Sequence, residues 1–121
     1  MLALMIVDDS NVIRRKIDRY NQHSERFKVV AMANNGKDAM RKFDIAQPQV
    51  VTMDLTMPEM DGIECIEALI NKDPELRILV VSALSDKATG IEALQRGASG
   101  FLCKPFTEQQ LAAALIELVN D

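Results

Sequence analysis

The most constraining feature of this sequence is a short apolar run that ends in a carboxylate. Val50–Met53 is followed directly by Asp54, and Pro58 and Gly62 then punctuate the chain. A run of this length, rich in β-branched residues and closed by turn residues, is typical of a buried central strand. Parallel α/β sheets place their chemistry at the carboxyl ends of the strands. The pattern therefore predicts that Asp54 stands at such an end.

Length and charge limit the kind of protein that this chain can form. With 121 residues and 48% hydrophobic content, residues 1–121 are long enough for one domain with a real core and too short for two. The 14 Lys and Arg residues against 18 Asp and Glu residues give a net charge of −4. This balance argues against direct nucleic-acid binding and against membrane attachment through bulk electrostatics.

The start of the chain and its cysteines indicate where the protein works. Met1–Val7 is apolar but lacks a basic leader and a cleavage site, and Asp8 ends it, so it predicts a strand rather than a signal peptide or membrane span. Cys65 and Cys103 form no C-x-x-C motif and belong to no metal-binding cluster. We interpret both as buried small hydrophobes and expect a cytoplasmic location.

Five apolar segments alternate with five helical patterns along the chain. Each strand and helix pair spans little more than twenty residues, so right-handed crossovers predict a parallel sheet covered on both faces. The length suits the flavodoxin-like doubly wound (βα)5 fold, an α/β fold with strand order 2-1-3-4-5. The predicted strands are Leu2–Val7, Phe27–Ala33, the run ending at Asp54, Ile78–Ser82 and Phe101–Lys104.

The helical segments differ in how strongly the sequence favours them. Two of them begin with a polar cap and a Glu or Gln three residues later: Asp61 with Glu64, and Thr107 with Gln110. The segment from Ser85 through Ala88–Arg96 is weaker because Gly90 lies inside it, and an interior Gly costs about 1 kcal/mol relative to Ala. We predict that this helix is the most easily displaced one.

The ends of four predicted strands bring polar side chains to one edge of the sheet, namely Asp8, Asp9, Asp54, Ser82 and Lys104. Three neighbouring carboxylates repel one another unless a cation is present. Mg²⁺ prefers oxygen ligands and is typically held by carboxylates together with phosphate oxygens, and a lysine can pair with a phosphate. The set is therefore equipped for phosphoryl transfer to an Asp nucleophile.

Each of these residues also has an ordinary structural interpretation when taken alone. Asp9 could be a helix N-cap, Ser82 a partner for backbone groups, and Lys104 a solvated surface charge. Asp54 is harder to explain in this way, because the nearest good helix cap is Asp61. The combination of these groups at one sheet edge favours the functional interpretation.

Over essentially its whole length the sequence resembles the receiver domains of two-component response regulators. The resemblance is closest to single-domain regulators of the chemotaxis type, because no effector domain follows Asp121 in this sequence. The matching motifs are Ile6–Ser10, Met53-Asp54 with Met57-Pro58 and Asp61-Gly62, Val81–Ala83, Gly100–Leu102 and Lys104–Phe106.

This resemblance implies a role for each site residue. Asp54 would accept a phosphoryl group from a histidine kinase or phosphotransfer protein. Asp9 would bind Mg²⁺ directly and Asp8 largely through water, alongside Asp54 itself and the Thr56 carbonyl. Lys104 would contact the phosphoryl group, and its bond to Pro105 would be cis. Self-catalysed phosphotransfer and autodephosphorylation would make the chain a switch rather than an enzyme acting on other molecules.

The resemblance also implies how the phosphorylated state is transmitted. Ser82 would move toward the phosphoryl group, and Phe101 would swing into the space that Ser82 leaves. A downstream protein would bind the face formed by the fourth helix, the fifth strand and the fifth helix, with Lys87, Ile91, Phe101 and Lys104. Leu84 is apolar and cannot position an attacking water, so we expect slow self-hydrolysis.

A phosphatase with an Asp nucleophile on a related α/β sheet is the alternative. Such enzymes usually carry a second acid two residues after the nucleophile, where this chain has Thr56. A nucleotide-binding module is disfavoured because no G-x-G-x-x-G or G-K-[ST] motif follows the first strand.

Overall fold

The computed structural model describes residues 1–57, 60–84 and 87–120, so the predicted features at Pro58, Ser85 and Asp86 lie outside the described residues. Strands and helices alternate along the chain as the sequence predicts. They are β1 Leu2–Val7, α1 Asn11–Asn21, β2 Phe27–Ala33, α2 Gly36–Ala46, β3 Val50–Met53, α3 Gly62–Lys72, β4 Arg77–Ser82, α4 Lys87–Gln95, β5 Gly100–Cys103 and α5 Glu108–Val119.

The strands form one parallel sheet in the order β2-β1-β3-β4-β5, which confirms the predicted doubly wound fold. Val7 of β1 and Val80 of β4 both pair with Met53 of β3. The residues that follow Val7 and Met53 therefore leave neighbouring strands at the same level. This register brings Asp8 and Asp54 together at the carboxyl edge of the sheet.

The sheet divides the hydrophobic core into two halves. Val50, Leu79 and Val81 point toward α1 and α5, whereas Val51 and Val80 point toward α2, α3 and α4. This alternation is expected because successive side chains of a strand lie on opposite faces. We refer to the two sides as the α1/α5 face and the α3/α4 face.

Both predicted N-caps are present. The Asp61 carboxylate accepts a hydrogen bond from the Glu64 N–H at 2.9 Å. The Thr107 hydroxyl accepts from the Gln110 N–H at 3.1 Å, and the Gln110 side chain accepts from the Thr107 N–H at 2.9 Å. These contacts satisfy backbone donors that a helix start otherwise leaves without partners.

Helix α4 packs less closely than the other helices. Ala93 is its buried residue, while Ile91 and Leu94 are 49% and 50% exposed. Gly90 lies inside it, as the sequence indicates, and faces the ring of Phe101. The light packing agrees with the weak helical pattern, and the displacement of α4 stays a prediction.

The interpretation of the cysteines is right for one residue and wrong for the other. Cys65 is buried in α3, and burial, with a smaller contribution from Asp61, raises the pKa of its thiol to about 12. Cys103 is exposed, because β5 is a short strand at the edge of the sheet. Among the described residues, no helix is both long enough and apolar enough to cross a membrane.

Candidate functional site

Three carboxylates meet at the carboxyl edge of the sheet, as predicted. Asp8, Asp9 and Asp54 each place an oxygen within 4.8 Å of the others, and we call this set the acidic cluster. Asp8 and Asp54 are only 1% and 2% exposed, whereas Asp9 is open to solvent. The cluster is therefore closed on the side of the sheet and accessible through Asp9.

Backbone contacts orient the two buried carboxylates. Asp8 Oδ1 accepts a hydrogen bond from the Ser10 N–H at 2.9 Å, and the Asp54 N–H donates to the Val7 carbonyl at 2.9 Å. The Thr56 N–H donates weakly to Asp54 Oδ1 at 3.4 Å. These contacts are local consequences of the strand ends, so the fold itself positions the side chains.

Lys104 supplies the positive charge closest to the acidic cluster. Its Nζ lies 2.8 Å from Asp8 Oδ2 and 3.7 Å from Asp54 Oδ1. Asp8 Oδ2 is buried and accepts no hydrogen bond of regular geometry, so its contact with Lys104 is an ion pair. The bond from Lys104 to Pro105 is cis, as predicted. One ammonium cannot balance three carboxylates, so the cluster carries excess negative charge.

The surroundings of Asp54 change its acidity. Burial raises the pKa of Asp54 to about 6, and the charge of Asp8 adds to the rise. The Lys104 ammonium and the Thr56 N–H oppose this rise by stabilising the carboxylate. Asp54 is consequently ionised for the most part above pH 6, the state that a nucleophile requires.

The donor atoms of the cluster fit a hard divalent cation. Mg²⁺ binds oxygen ligands and keeps several waters, and here two carboxylates are buried and the third faces solvent. Among the residues that the structure describes, Asp8 Oδ2 accepts no hydrogen bond, and the group next to it is the Lys104 ammonium at 2.8 Å. The Thr56 carbonyl stays a predicted ligand.

The two predicted switch residues lie in the neighbouring strands β4 and β5. Ser82 ends β4, is fully buried, and its hydroxyl accepts a hydrogen bond from the Leu84 N–H at 3.1 Å. Phe101 pairs with Val80 in the sheet and packs on the α3/α4 face. Ser82 therefore ends its strand at the carboxyl edge of the sheet, and Phe101 lies on the α3/α4 face.

Sequence reasoning missed Arg14 and the hydroxyl of Thr52, and it named Gly62 only as a turn and motif residue. Arg14 donates to the Asp8 carbonyl at 2.6 Å, and the first turn of α1 contains no acidic residue that would have marked it as an ordinary ion pair. Thr52 is buried with a hydroxyl that has no partner among the described residues, and it is the only hydroxyl in the run Val50–Met53. A Cβ on Gly62 would lie 2.3 Å from the Asp54 carbonyl oxygen, so the loop after β3 requires glycine there.

Sequence comparison assigns these features to a known family. Residues 4–116 match the response regulator receiver domain. This chain belongs to that family. The chemotaxis protein CheY of Listeria monocytogenes serovar 1/2a is 40% identical over 115 residues, which cover 95% of this chain and 96% of that protein. CheY of Bacillus subtilis is 38% identical, with 97% of each chain covered.

Solved structures agree with the family assignment. CheY in the CheX-CheY-BeF3-Mg complex from Borrelia burgdorferi superposes with a TM-score of 0.93 at 28% identity, covering 99% of this chain and 90% of that chain. Vibrio cholerae CheY4 gives 0.90 at 28% identity, covering 98% of this chain and 99% of that chain. The chain is thus a CheY-like receiver domain of two-component signalling, and no similarity favours the phosphatase alternative. Receiver domains bind Mg²⁺ through an acidic pocket, and the acidic cluster is the corresponding feature here.

Proposed function

We propose that Asp54 accepts a phosphoryl group from a histidine kinase or phosphotransfer protein. The observation that carries this proposal is the surroundings of Asp54. It is buried at the end of the central strand, beside Asp8 and Asp9 and 3.7 Å from the Lys104 ammonium. This combination offers a carboxylate nucleophile, ligands for a cation and a cationic contact for the phosphoryl group.

The transfer is an in-line displacement at phosphorus. An Asp54 carboxylate oxygen forms the new P–O bond while the P–N bond of the donor phosphohistidine breaks, and the electron pair of that bond stays on the imidazole nitrogen. Lys104 moves its contact from Asp8 toward a phosphoryl oxygen. In a separate step, water attacks the phosphorus of the acyl phosphate, the P–O bond to Asp54 breaks, and inorganic phosphate leaves while the Asp54 carboxylate is restored. The chain thereby catalyses its own phosphorylation and dephosphorylation without acting on other substrates.

Asp9, Asp54, the Thr56 carbonyl and, through water, Asp8 would hold Mg²⁺. The ion would supply positive charge to the transferring oxygens and relieve the repulsion within the acidic cluster. The chain itself holds the carboxylates in place and excludes water from one side of Asp54.

We further propose that phosphorylation is transmitted through the α3/α4 face. The Ser82 hydroxyl would leave the Leu84 N–H and turn to the phosphoryl group, and Phe101 would then move inward toward the vacated space. Gly90 lies next to the Phe101 ring, and even an added Cβ at this position would be 3.7 Å from the ring, an ordinary contact. A new dianion next to a lightly packed helix is a suitable trigger for such a change.

The output is binding of a downstream protein to the surface formed by α4, β5 and α5, which includes Lys87 and Ile91. The Borrelia burgdorferi CheY, which is similar to this chain, forms a complex with CheX.

We place phosphotransfer and partner binding in the cytoplasm, where the free thiols of Cys65 and Cys103 persist. We assign both to residues 1–121 acting as one receiver domain, without nucleic acid or membrane insertion. Slow self-hydrolysis is expected with Leu84, and Leu84→Glu should shorten the lifetime of the phosphorylated form.

Intact-mass analysis tests the proposal. The protein is incubated with Mg²⁺ and a small acyl phosphate, next to an Asp54→Asn variant and a Mg²⁺-free sample. A single added phosphoryl group that requires both Asp54 and Mg²⁺ is expected. An adduct that persists in Asp54→Asn, or steady hydrolysis of external phosphoesters without an adduct, would contradict it.

A further inference from the structure

The side chain of Arg14 contacts the backbone of Asp8. Its Nη1 donates to the Asp8 backbone carbonyl at 2.6 Å, and its Nη2 donates to Asn11 Oδ1 at 3.2 Å. The guanidinium is half-buried at the start of α1 and bridges the turn between β1 and α1. This turn carries both Asp8 and Asp9.

Three hydrogen bonds and one ion pair hold Asp8, one contact at each of its four polar atoms. Its N–H donates to the Ala33 carbonyl at 3.1 Å, its Oδ1 accepts from the Ser10 N–H, and its carbonyl accepts from Arg14. Only Oδ2 has no hydrogen bond, and it points to Lys104. The contacts of Asp8 therefore leave one buried oxygen directed into the acidic cluster.

We infer that Arg14 is a positioning residue for the cation site, acting through Asp8 rather than on the ion. The inference rests on the proposed Mg²⁺ site. Partners behind a metal ligand restrict its orientation, and losing them typically weakens metal binding about 10-fold or more. The Ser10 N–H and the Ala33 carbonyl are backbone partners of Asp8. The Ser10 hydroxyl also joins the turn to α1 by accepting from the Ile13 N–H at 3.3 Å, but Arg14 is the side chain that contacts the Asp8 carbonyl.

The charge of Arg14 and its hydrogen bonds have opposite expected effects on Mg²⁺ affinity. Arg14 carries a positive charge and contacts the Asp8 carbonyl. Its removal without any structural consequence would therefore strengthen the attraction of the acidic cluster for a divalent cation. A loss of affinity can then be assigned to the hydrogen bonds of Arg14 rather than to its charge. Arg15 provides a matched control, because it is the next residue, has the same charge and is exposed.

The experiment is calorimetric titration of Mg²⁺ into the native protein, Arg14→Met and Arg15→Met, with melting temperatures recorded by circular dichroism. We expect about 10-fold weaker Mg²⁺ binding in Arg14→Met and a change below about 2-fold in Arg15→Met. Arg14→Lys keeps the charge but cannot bond to both Asp8 and Asn11, so it should also bind Mg²⁺ more weakly than the native protein. This second variant serves if Arg14→Met does not fold.

Equal or tighter Mg²⁺ binding in Arg14→Met than in Arg15→Met would overturn the positioning role, as would native affinity in Arg14→Lys. The failure of the proposed function gives a different result. If the native protein itself shows no binding of Mg²⁺, the proposed site and the role of Arg14 both fall. Because titration measures binding directly, neither result depends on whether a phosphodonor is accepted.

Discussion

Helices α4 and α5 lie on opposite faces of the sheet beside β5, and the structure anchors them very differently. α5 begins with a reciprocal capping box and buries Leu111, Leu115 and Leu118 on the α1/α5 face. α4 buries Ala93, contains Gly90 and covers the face that carries Ser82 and Phe101. We therefore expect α5 to be held firmly and α4 to rearrange at a lower cost in free energy.

The largest expected effect contrasts one apolar residue from each helix. Leu115→Ala should lower the free energy of unfolding by about 2–5 kcal/mol, because Leu115 is fully buried and its removal leaves a cavity. Ile91→Ala should change it by less than about 0.5 kcal/mol, since Ile91 is half exposed. Urea unfolding of both variants provides the measurement. Similar losses in the two variants would show that α4 is anchored as firmly as α5.

The next effect concerns the buried carboxyl group of Asp54. Burial raises the pKa of folded Asp54 to about 6, above the ~3.9 of an unfolded chain, so the folded state holds this proton more tightly. The contribution of Asp54 to stability therefore falls as pH rises from about 4 to about 6 and stays low above pH 6.

Asp54→Asn should accordingly raise the free energy of unfolding at pH 8 by about 1–3 kcal/mol in Mg²⁺-free buffer. The gain should shrink below pH 5, where the native carboxyl is protonated in any case. Chemical denaturation at several pH values checks both points. A variant less stable than the native protein at pH 8 would show that burial and the charge of Asp8 do not destabilise the Asp54 carboxylate.

A substitution at Thr52 should have a smaller effect on the free energy of unfolding. Its hydroxyl is buried without a partner among the described residues, and its neighbours in the sheet are Ile6 and Leu79. Thr52→Val should raise the free energy of unfolding by about 1 kcal/mol, because it removes a desolvated polar group and keeps the branched shape. Thermal unfolding measures this, with Thr52→Ser as the control that retains the hydroxyl. A destabilised Thr52→Val would mean that the hydroxyl has a bonding partner in solution.

The smallest effect tests α4 directly. Gly90→Ala should stabilise the protein by about 0.5–1 kcal/mol, since Ala is the better helix residue and its Cβ would make ordinary contacts of 3.7 and 3.8 Å with the Phe101 ring. Gly62→Ala is the instructive control, because there the added Cβ would meet the backbone of Asp54 and should destabilise. Loss of stability in Gly90→Ala would show that the ring of Phe101 needs the space.

The sequence was sufficient to predict the strand order, the two helix caps and the residues at the sheet edge. The caps and the sheet-edge residues follow from local patterns, since a strand end followed by Asp and a capped helix are read within a few residues. The strand order follows instead from the alternation of five strands with five helices and from a chain length that suits a common doubly wound order. Exposure of Cys103 was not predictable in this way, because it depends on which strand lies at the edge of the sheet. Arg14 was missed for a related reason, as its contact with Asp8 depends on how a long side chain folds back over a turn.

We infer that α5 is held firmly, whereas α4 can rearrange when the site is occupied. Hydrogen exchange of α4 and α5 amides, measured with and without Mg²⁺ and beryllium fluoride, tests it most directly. We expect faster exchange in α4 than in α5 in the free protein, a change in α4 when both ligands are added, and little change in α5. Equal protection of the two helices, with α4 unaffected by the ligands, would contradict the claim.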